Sequence, residues 1–233
     1  DNPSSSSLVQ KISQACEEYG FFQIVNHGIP KQVCNKMMTA ISDLFSLPQE
    51  QRRQLYTTDL SKNTKLFNFY LNVEGGEKVK MWSECFGHPW YPTEDIIHLL
   101  PEQIGTQYGF DIIGLGVEED CLVKILGDEP RLRSQANFYP PCSDPELTMG
   151  LPVHTDFSAL TVILQSQVSG LQVIKDGKWI SVPAIPNAFV VNLGDQIQVL
   201  SNGRFKSVLH TSQGCYQQIA SKGVDGNVLW AKR

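Results

Sequence analysis

The stretch Leu151-Pro152-Val153-His154-Thr155-Asp156-Phe157-Ser158-Ala159-Leu160-Thr161-Val162-Ile163-Leu164 decides how the chain is read. Its second half is rich in β-branched residues and alternates in part, which predicts a strand. The first half reads as strand as well, with His154 and Asp156 two residues apart. Residues i and i+2 of a strand project from one face, so an imidazole and a carboxylate point the same way. Taken alone, His-x-Asp carries little, because both residues are common on polar strand faces.

His210 changes the weight of that pair. It ends the segment FKSVLH (205–210), which also reads as a strand, and can reach the pair from across a sheet. Two histidines and one carboxylate on one side of a metal leave three coordination positions open, as non-haem Fe(II) oxygenation requires. Tetrahedral zinc with one water is the alternative that these three residues leave open.

Outward from this centre the pattern stays β. LQVIKDGKWISV (171–182) is two strands around Asp176-Gly177, a strong hairpin signal, and NAFVVNLG (187–194) is a buried strand. Short strands joined by Gly, Pro and Asn turns predict a sandwich or jelly roll. Upstream, Ser7 is placed to cap a helix carrying Leu8, Ile12, Ala15 and Tyr19 and ended by Gly20. FFQIV (21–25) is a short buried strand, and Asn26-His27-Gly28 turns the chain. Pro30 stands where a first helical residue belongs, ahead of Val33, Met37, Ile41 and Leu44 at helical spacing up to Pro48. Residues 50–110 read as mixed loop and strand, with Trp82, Trp90 and Tyr91 as packing residues. His27, His88 and His98 read as structural or surface histidines.

The chain has 233 residues, 41% of them hydrophobic, which suits one domain with a helical extension. A net charge of −5 argues against nucleic-acid and anionic-membrane surfaces, and no apolar run is long enough to span a bilayer. DNPSSSS at the start lacks the blocks of a signal peptide. The six cysteines show no C-x-x-C spacing and read as reduced thiols, so the expected location is cytoplasmic; nothing suggests a self-complementary patch, and the expected state is monomeric.

Four motifs follow in order: Asn137-Phe138-Tyr139-Pro140-Pro141-Cys142, then the His154-x-Asp156 pair, Asn192-Leu193-Gly194-Asp195, and Ser201-Asn202-Gly203-Arg204-Phe205 leading to His210. Together with GFFQIVNHGIP (20–30), they resemble the plant-type Fe(II)/2-oxoglutarate-dependent dioxygenases over most of residues 8–210. The resemblance implies a mainly β fold with N-terminal helices: a double-stranded β-helix (jelly roll, cupin-like) that is incomplete at its C-terminus. It implies Fe(II) on His154, Asp156 and His210, and 2-oxoglutarate touching Asn137 and Tyr139. O2 is the oxidant, ascorbate an optional addition, and the substrate a small organic metabolite to be hydroxylated or desaturated. Plant specialised metabolism and hormone modification are the nearest branches. The implied organisation is an N-terminal helical and mixed region (1–110), the catalytic core (111–210) and an atypical tail (211–233). Phe67, Phe69, Trp82 and Phe138 are candidate substrate-pocket residues, with core packing as the competing role.

The chain departs from that family in three places. It begins after the short strand that precedes the first helix, and Tyr108-Gly109-Phe110-Asp111 joins abruptly where members carry a long helix. No Arg-x-Ser follows His210, although that element binds the distal carboxylate of 2-oxoglutarate, for which a bidentate guanidinium is the natural partner. Arg204, in the turn before His210, is not credited with this role. Weak or absent turnover is therefore expected. A non-catalytic remnant or splice product that keeps at most metal binding is the alternative, and a cupin-like metal protein using no 2-oxoacid is a third reading. Codons permitted for Gln213 to Lys232 can be chosen so that the next frame resembles the family's continuation, Arg-x-Ser included, and the tail is read as frame-shifted. Sequencing the transcript across the His210 codon is expected to reveal that second frame; codons that exclude Arg-x-Ser there overturn this reading.

Overall fold

The computed structural model describes residues 3–53, 55–57, 65–68, 80–89, 98, 100, 104, 132–141, 148–212 and 226–232. Helix α1 (Pro3–Glu18) begins ahead of Ser7, so that serine is not its cap. Pro3, with its fixed φ, is already set for a first helical turn. Gly20 ends the helix as expected: at φ +64 it and Tyr19 both donate backbone N–H groups to the Ala15 carbonyl, at 3.0 and 2.8 Å. The strand β1 (Phe21–Ile24) follows, then α2 (Lys31–Ser46). Pro30 is one residue outside α2, extended at ψ 134, and its carbonyl already accepts the Val33 N–H.

The ridge predicted on α2 is its buried face. Met37, Ile41 and Leu44 join Leu66, Phe86, Ala136, Phe138, Leu164 and Phe189 in the larger core, with Val33 at its margin. A short helix α3 (Gln49–Arg53) opens the region read as loop and strand, and β2 (Lys65–Asn68), β3 (Lys80–Met81) and β4 (Glu84–Pro89) follow. The abrupt join at 108–111 lies outside the described residues.

The remaining elements are β5 (Leu132–Phe138), β6 (Thr148–Met149), β7 (Leu151–His154), β8 (Leu160–Leu164), β9 (Leu171–Lys175), β10 (Lys178–Ser181), β11 (Phe189–Leu193), α4 (Asp195–Leu200), β12 (His210–Ser212) and β13 (Gly226–Lys232). They build a seven-stranded sheet, β1-β11-β8-β13-β5-β4-β2, a four-stranded sheet, β10-β9-β12-β7, and the pair β3-β6. Neighbours in the two larger sheets are antiparallel. A second core joins those sheets: Phe21, Ile163 and Val190 from one, Leu171 and Val173 from the other. This is the expected jelly-roll arrangement of antiparallel sheets. Asp176 and Gly177, at φ 51 and 74, close the β9–β10 hairpin with the two left-handed residues of a type I′ turn. The tail, expected to leave the core short of strands, contributes β13, whose backbone pairs with β8 on one side and β5 on the other.

Two strand expectations are corrected around the site. FKSVLH is not a strand up to His210; β12 starts there. The preceding backbone is engaged elsewhere, Lys206 N–H on the Cys16 carbonyl and Ser207 N–H on Gln198 Oε1. Likewise β7 stops at His154, and Asp156 sits in the turn before β8. That turn is gripped from below. Asp195 N–H donates to the Asp156 carbonyl at 2.8 Å, and Gly194 N–H to the Ala159 carbonyl at 3.0 Å. A Cβ at position 194 would stand 1.9 Å from the Ser158 carbonyl oxygen, so only glycine lets the two backbones meet.

Three substitutions probe this architecture. Leu44→Ala, at a position with no exposed surface, is expected to cost about 2–5 kcal/mol in urea unfolding. Val199→Ala, 77% exposed, should stay within about 0.5 kcal/mol. Gly194→Ala is expected to cost about 3 kcal/mol or more, since backbone must move to admit the methyl group; an unchanged urea midpoint refutes the close approach.

Candidate metal centre

Strands β7 and β12 are antiparallel neighbours with His154 and His210 directly opposite each other. Their rings lie 4.2 Å apart between centroids. Both imidazoles are oriented by the same device: Nδ1 meets the carbonyl two residues back, Pro152 O at 2.7 Å and Val208 O at 3.1 Å. A carbonyl only accepts, so Nδ1 carries the proton and Nε2 keeps a free lone pair. Each Nε2 is 3.6 Å from Asp156 Oδ1. One ligand atom from each residue falls within 4.8 Å of the others, so His154, Asp156 and His210 can share an ion. Two bonds of about 2.1 Å set their donor atoms roughly 3.0 Å apart at right angles and roughly 3.4 Å apart at the tetrahedral angle. Each histidine–aspartate pair, at 3.6 Å, therefore needs only a few tenths of an ångström of closure. Its chemistry, two imidazoles and a carboxylate, suits Fe(II).

The second carboxylate oxygen is also engaged. Asp156 Oδ2 accepts from Thr161 Oγ1 at 2.5 Å and from Asn192 Nδ2 at 2.7 Å. Burial would raise this carboxyl. The His154 and His210 rings and the Thr161 and Asn192 donors outweigh it and hold the group well below the usual carboxylate range. The imidazoles diverge. Burial lowers His154, but Asp156 and the Pro152 carbonyl prevail and its net shift is upward. For the more deeply enclosed His210, burial prevails and the net shift is downward, with His154 adding to it. The His210 side chain is 2% exposed and the His154 side chain 34%. Phe21 walls the inner side, edge-on to His210 at 5.3 Å.

Of the two residues expected to meet the co-substrate, Tyr139 is buried and its hydroxyl bonds Ser212, the residue two beyond His210. Burial pushes that phenol up to about 12, so it stays protonated and able to donate. Asn137, on β5, is 2% exposed; its Oδ1 accepts from Gln135 Nε2, and its own Nδ2 has no hydrogen-bond partner. An orphaned buried donor of this kind is what an acidic oxygen acceptor would satisfy.

The other histidines stand apart, as expected. His27 Nδ1 accepts the Ile29 N–H and its Nε2 meets the Asn187 carbonyl. His88 is fully buried against Phe86 and lowered to about 4, chiefly by burial. His98 is exposed. Phe138 packs, stacked on Phe45, and the half-buried Trp82 donates to the Pro141 carbonyl; Phe69, Trp90 and Tyr91 lie outside the described residues. Arg204 pairs with Glu17 on the surface. Cys16, Cys34 and Cys85 are free and buried, and the other three cysteines are outside the described residues. Reading the sequence missed Thr161, Asn192 and Gly194 as parts of the site. Asn192 and Gly194 stood in a motif already noted, with no chemistry attached; the partnership of Thr161 with Asp156 leaves no local signature.

Comparison with known proteins agrees with this geometry. The model described as the 2OG-Fe(II) oxygenase superfamily matches residues 131–216, and that described as non-haem dioxygenase in morphine synthesis N-terminal matches residues 1–103. The chain is 42% identical to the Arabidopsis thaliana protein DMR6-LIKE OXYGENASE 1, covering 89% of this chain and 64% of that protein. It is 33% identical to an Arabidopsis thaliana flavonol synthase/flavanone 3-hydroxylase, covering 90% of this chain and 68% of that one. The crystal structure of JOX2 in complex with 2OG, Fe and JA superposes with a TM-score of 0.78 at 29% identity, covering 97% of this chain and 71% of JOX2. The chain thus spans about two thirds of the length of these curated relatives. With the jelly roll, the His-x-Asp…His triad and these matches in agreement, the chain belongs to the 2OG-Fe(II) oxygenase superfamily.

Proposed function

We infer that this chain is a Fe(II)- and 2-oxoglutarate-dependent oxidoreductase acting on a small organic metabolite by hydroxylation or desaturation. The observation that carries the reading is the convergence of His154 Nε2, Asp156 Oδ1 and His210 Nε2 around one point. In this reading the three residues hold the ion, while Asn137 Nδ2 and the Tyr139 hydroxyl donate to the oxygens of 2-oxoglutarate. Bound Fe(II) and O2 supply the oxidising chemistry that couples 2-oxoglutarate decarboxylation to substrate oxidation. The protein orients the ligands, keeps the imidazoles in one tautomer and excludes water with Phe21 and the apolar layer beneath it. Relatives named for flavanone and flavonol chemistry, and a solved structure holding JA, support a plant metabolite as substrate. The proposed setting is a cytoplasmic monomer without nucleic-acid or membrane partners; among the described residues no helix is long and apolar enough to cross a membrane. The proposed organisation is 1–110, 111–210 and 211–233, with the middle unit carrying the three ligands.

The sequence after His210 favours a second reading, a metal-binding remnant without turnover. Leaving the distal carboxylate of 2-oxoglutarate without its guanidinium costs on the order of 2–5 kcal/mol of binding, and each 1.4 kcal/mol is about tenfold in affinity.

Anaerobic Fe(II) titration with and without 2-oxoglutarate separates the readings. A charge-transfer band that needs both components is expected, at a 2-oxoglutarate concentration raised by several tenfold steps, with little succinate released on admitting O2. Iron binding without the band supports a metal protein that uses no oxoacid, and no iron binding sinks the centre. Metal affinity should also fall as pH drops, beginning somewhat above 6.5, the ordinary value from which His154 is raised. A protonated imidazole cannot ligate, so affinity is full above that range and lost below it; a flat profile from pH 8 to 5.5 contradicts a histidine-held ion.

A further inference from the structure

We propose that Thr161 and Asn192 are positioning residues that confine Asp156 to a single metal contact and so keep three coordination positions open. The proposal rests on the metal-centre reading above and deepens it. Both side chains are fully buried. They stand directly opposite each other on β8 and β11, in one register row with Phe21. Along the same two strands that row is followed by Ile163 and Val190, so the inner wall turns from apolar to polar where Asp156 arrives.

The hydrogen bonds have a direction. Thr161 has one proton and gives it to Asp156 Oδ2 at 2.5 Å, because a carboxylate can only accept. Its oxygen can in turn accept from the Ser158 hydroxyl at 3.1 Å, which completes a relay Ser158 to Thr161 to Asp156. Asn192 places Nδ2 2.7 Å from the same oxygen while its Oδ1, also buried, has no partner. The opposite amide orientation would set oxygen against oxygen, so Asp156 dictates this one. A buried carbonyl left unmatched to keep a donor on Asp156 is a cost that core packing alone does not explain.

Two donors engage Oδ2, leaving Oδ1 as the atom that faces both Nε2 groups. A carboxylate bound through one oxygen gives three protein atoms and three open positions on a six-coordinate ion. A chelating carboxylate would leave two, too few for a bidentate oxoacid together with O2.

The test loads the protein with Mn(II) or Co(II) and needs no turnover. Bound Mn(II) in the unaltered protein is expected to carry three exchangeable waters, counted by electron-spin-echo spectroscopy in D2O. Thr161→Val, nearly isosteric, and Asn192→Leu are expected to bring the count to two and to weaken Co(II) binding by about 10–100-fold. Thr161→Ser should restore both. Thr161→Val that is folded by circular dichroism yet keeps three waters and unaltered affinity overturns the proposal alone. An unaltered protein that binds neither ion, or binds equally well after Asp156→Ala, overturns the metal-centre reading and this proposal with it.

Discussion

Asp156 is a carboxylate withdrawn from bulk water, and a buried charge persists only when it is paired and hydrogen-bonded. Here one oxygen takes two hydrogen bonds from the sheet floor and the other faces two imidazoles. Much of the local architecture serves that requirement. The turn that carries Asp156 is held by the backbone of Gly194 and Asp195, and the Asp195 carboxylate accepts from Thr155 at 3.3 Å. The two histidines come from neighbouring strands of the opposing sheet, each tethered by its Nδ1 to its own backbone. The centre therefore draws both bases from the four-stranded sheet and its acid from the turn that leads out of that sheet into the seven-stranded one.

The larger core does a different job. The ridge of α2 against Leu66, Phe86, Ala136 and Phe138 fixes the outer face of the seven-stranded sheet. The inner face is then free to carry the register row of Phe21, Asn192 and Thr161. The outer face thus serves packing, while the inner face holds both the second core and the polar row beside Asp156, a division that the period of two along a strand permits.

Much of this was legible beforehand. The Asp176-Gly177 hairpin, the Met37, Ile41 and Leu44 ridge and the buried strand 189–193 were local signals, and local signals are read well. The three candidate ligands were legible from residue type, spacing and order along the chain. Their geometry was not. His154 ends a strand and Asp156 follows in a turn, because the NLGD segment some forty positions on captures that backbone, and no window around residue 156 contains the capturing groups. The same holds for His210, which begins a strand because the residues before it bond to Cys16 and Gln198. Thr161 read as one more β-branched strand residue; its role depends on which face the register turns inward and on what arrives there from the far side. The Pro30 boundary moved by a single residue, and α1 starts at Pro3 ahead of the cap signal at Ser7; helix ends are the least sharply written part of a sequence.

The unequal burial of the two imidazoles bears on how an ion would leave. His210 lies between β7 and β9, enclosed on both sides, whereas His154 ends the strand at the border of its sheet and faces solvent. Dissociation of an ion seated as proposed would be stepwise: acid or a competing chelator detaches the rim imidazole while the carboxylate and inner imidazole still grip. In that arrangement the residence time would be set by the interior pair, deep in the wall, and the pH sensitivity by the imidazole at its edge.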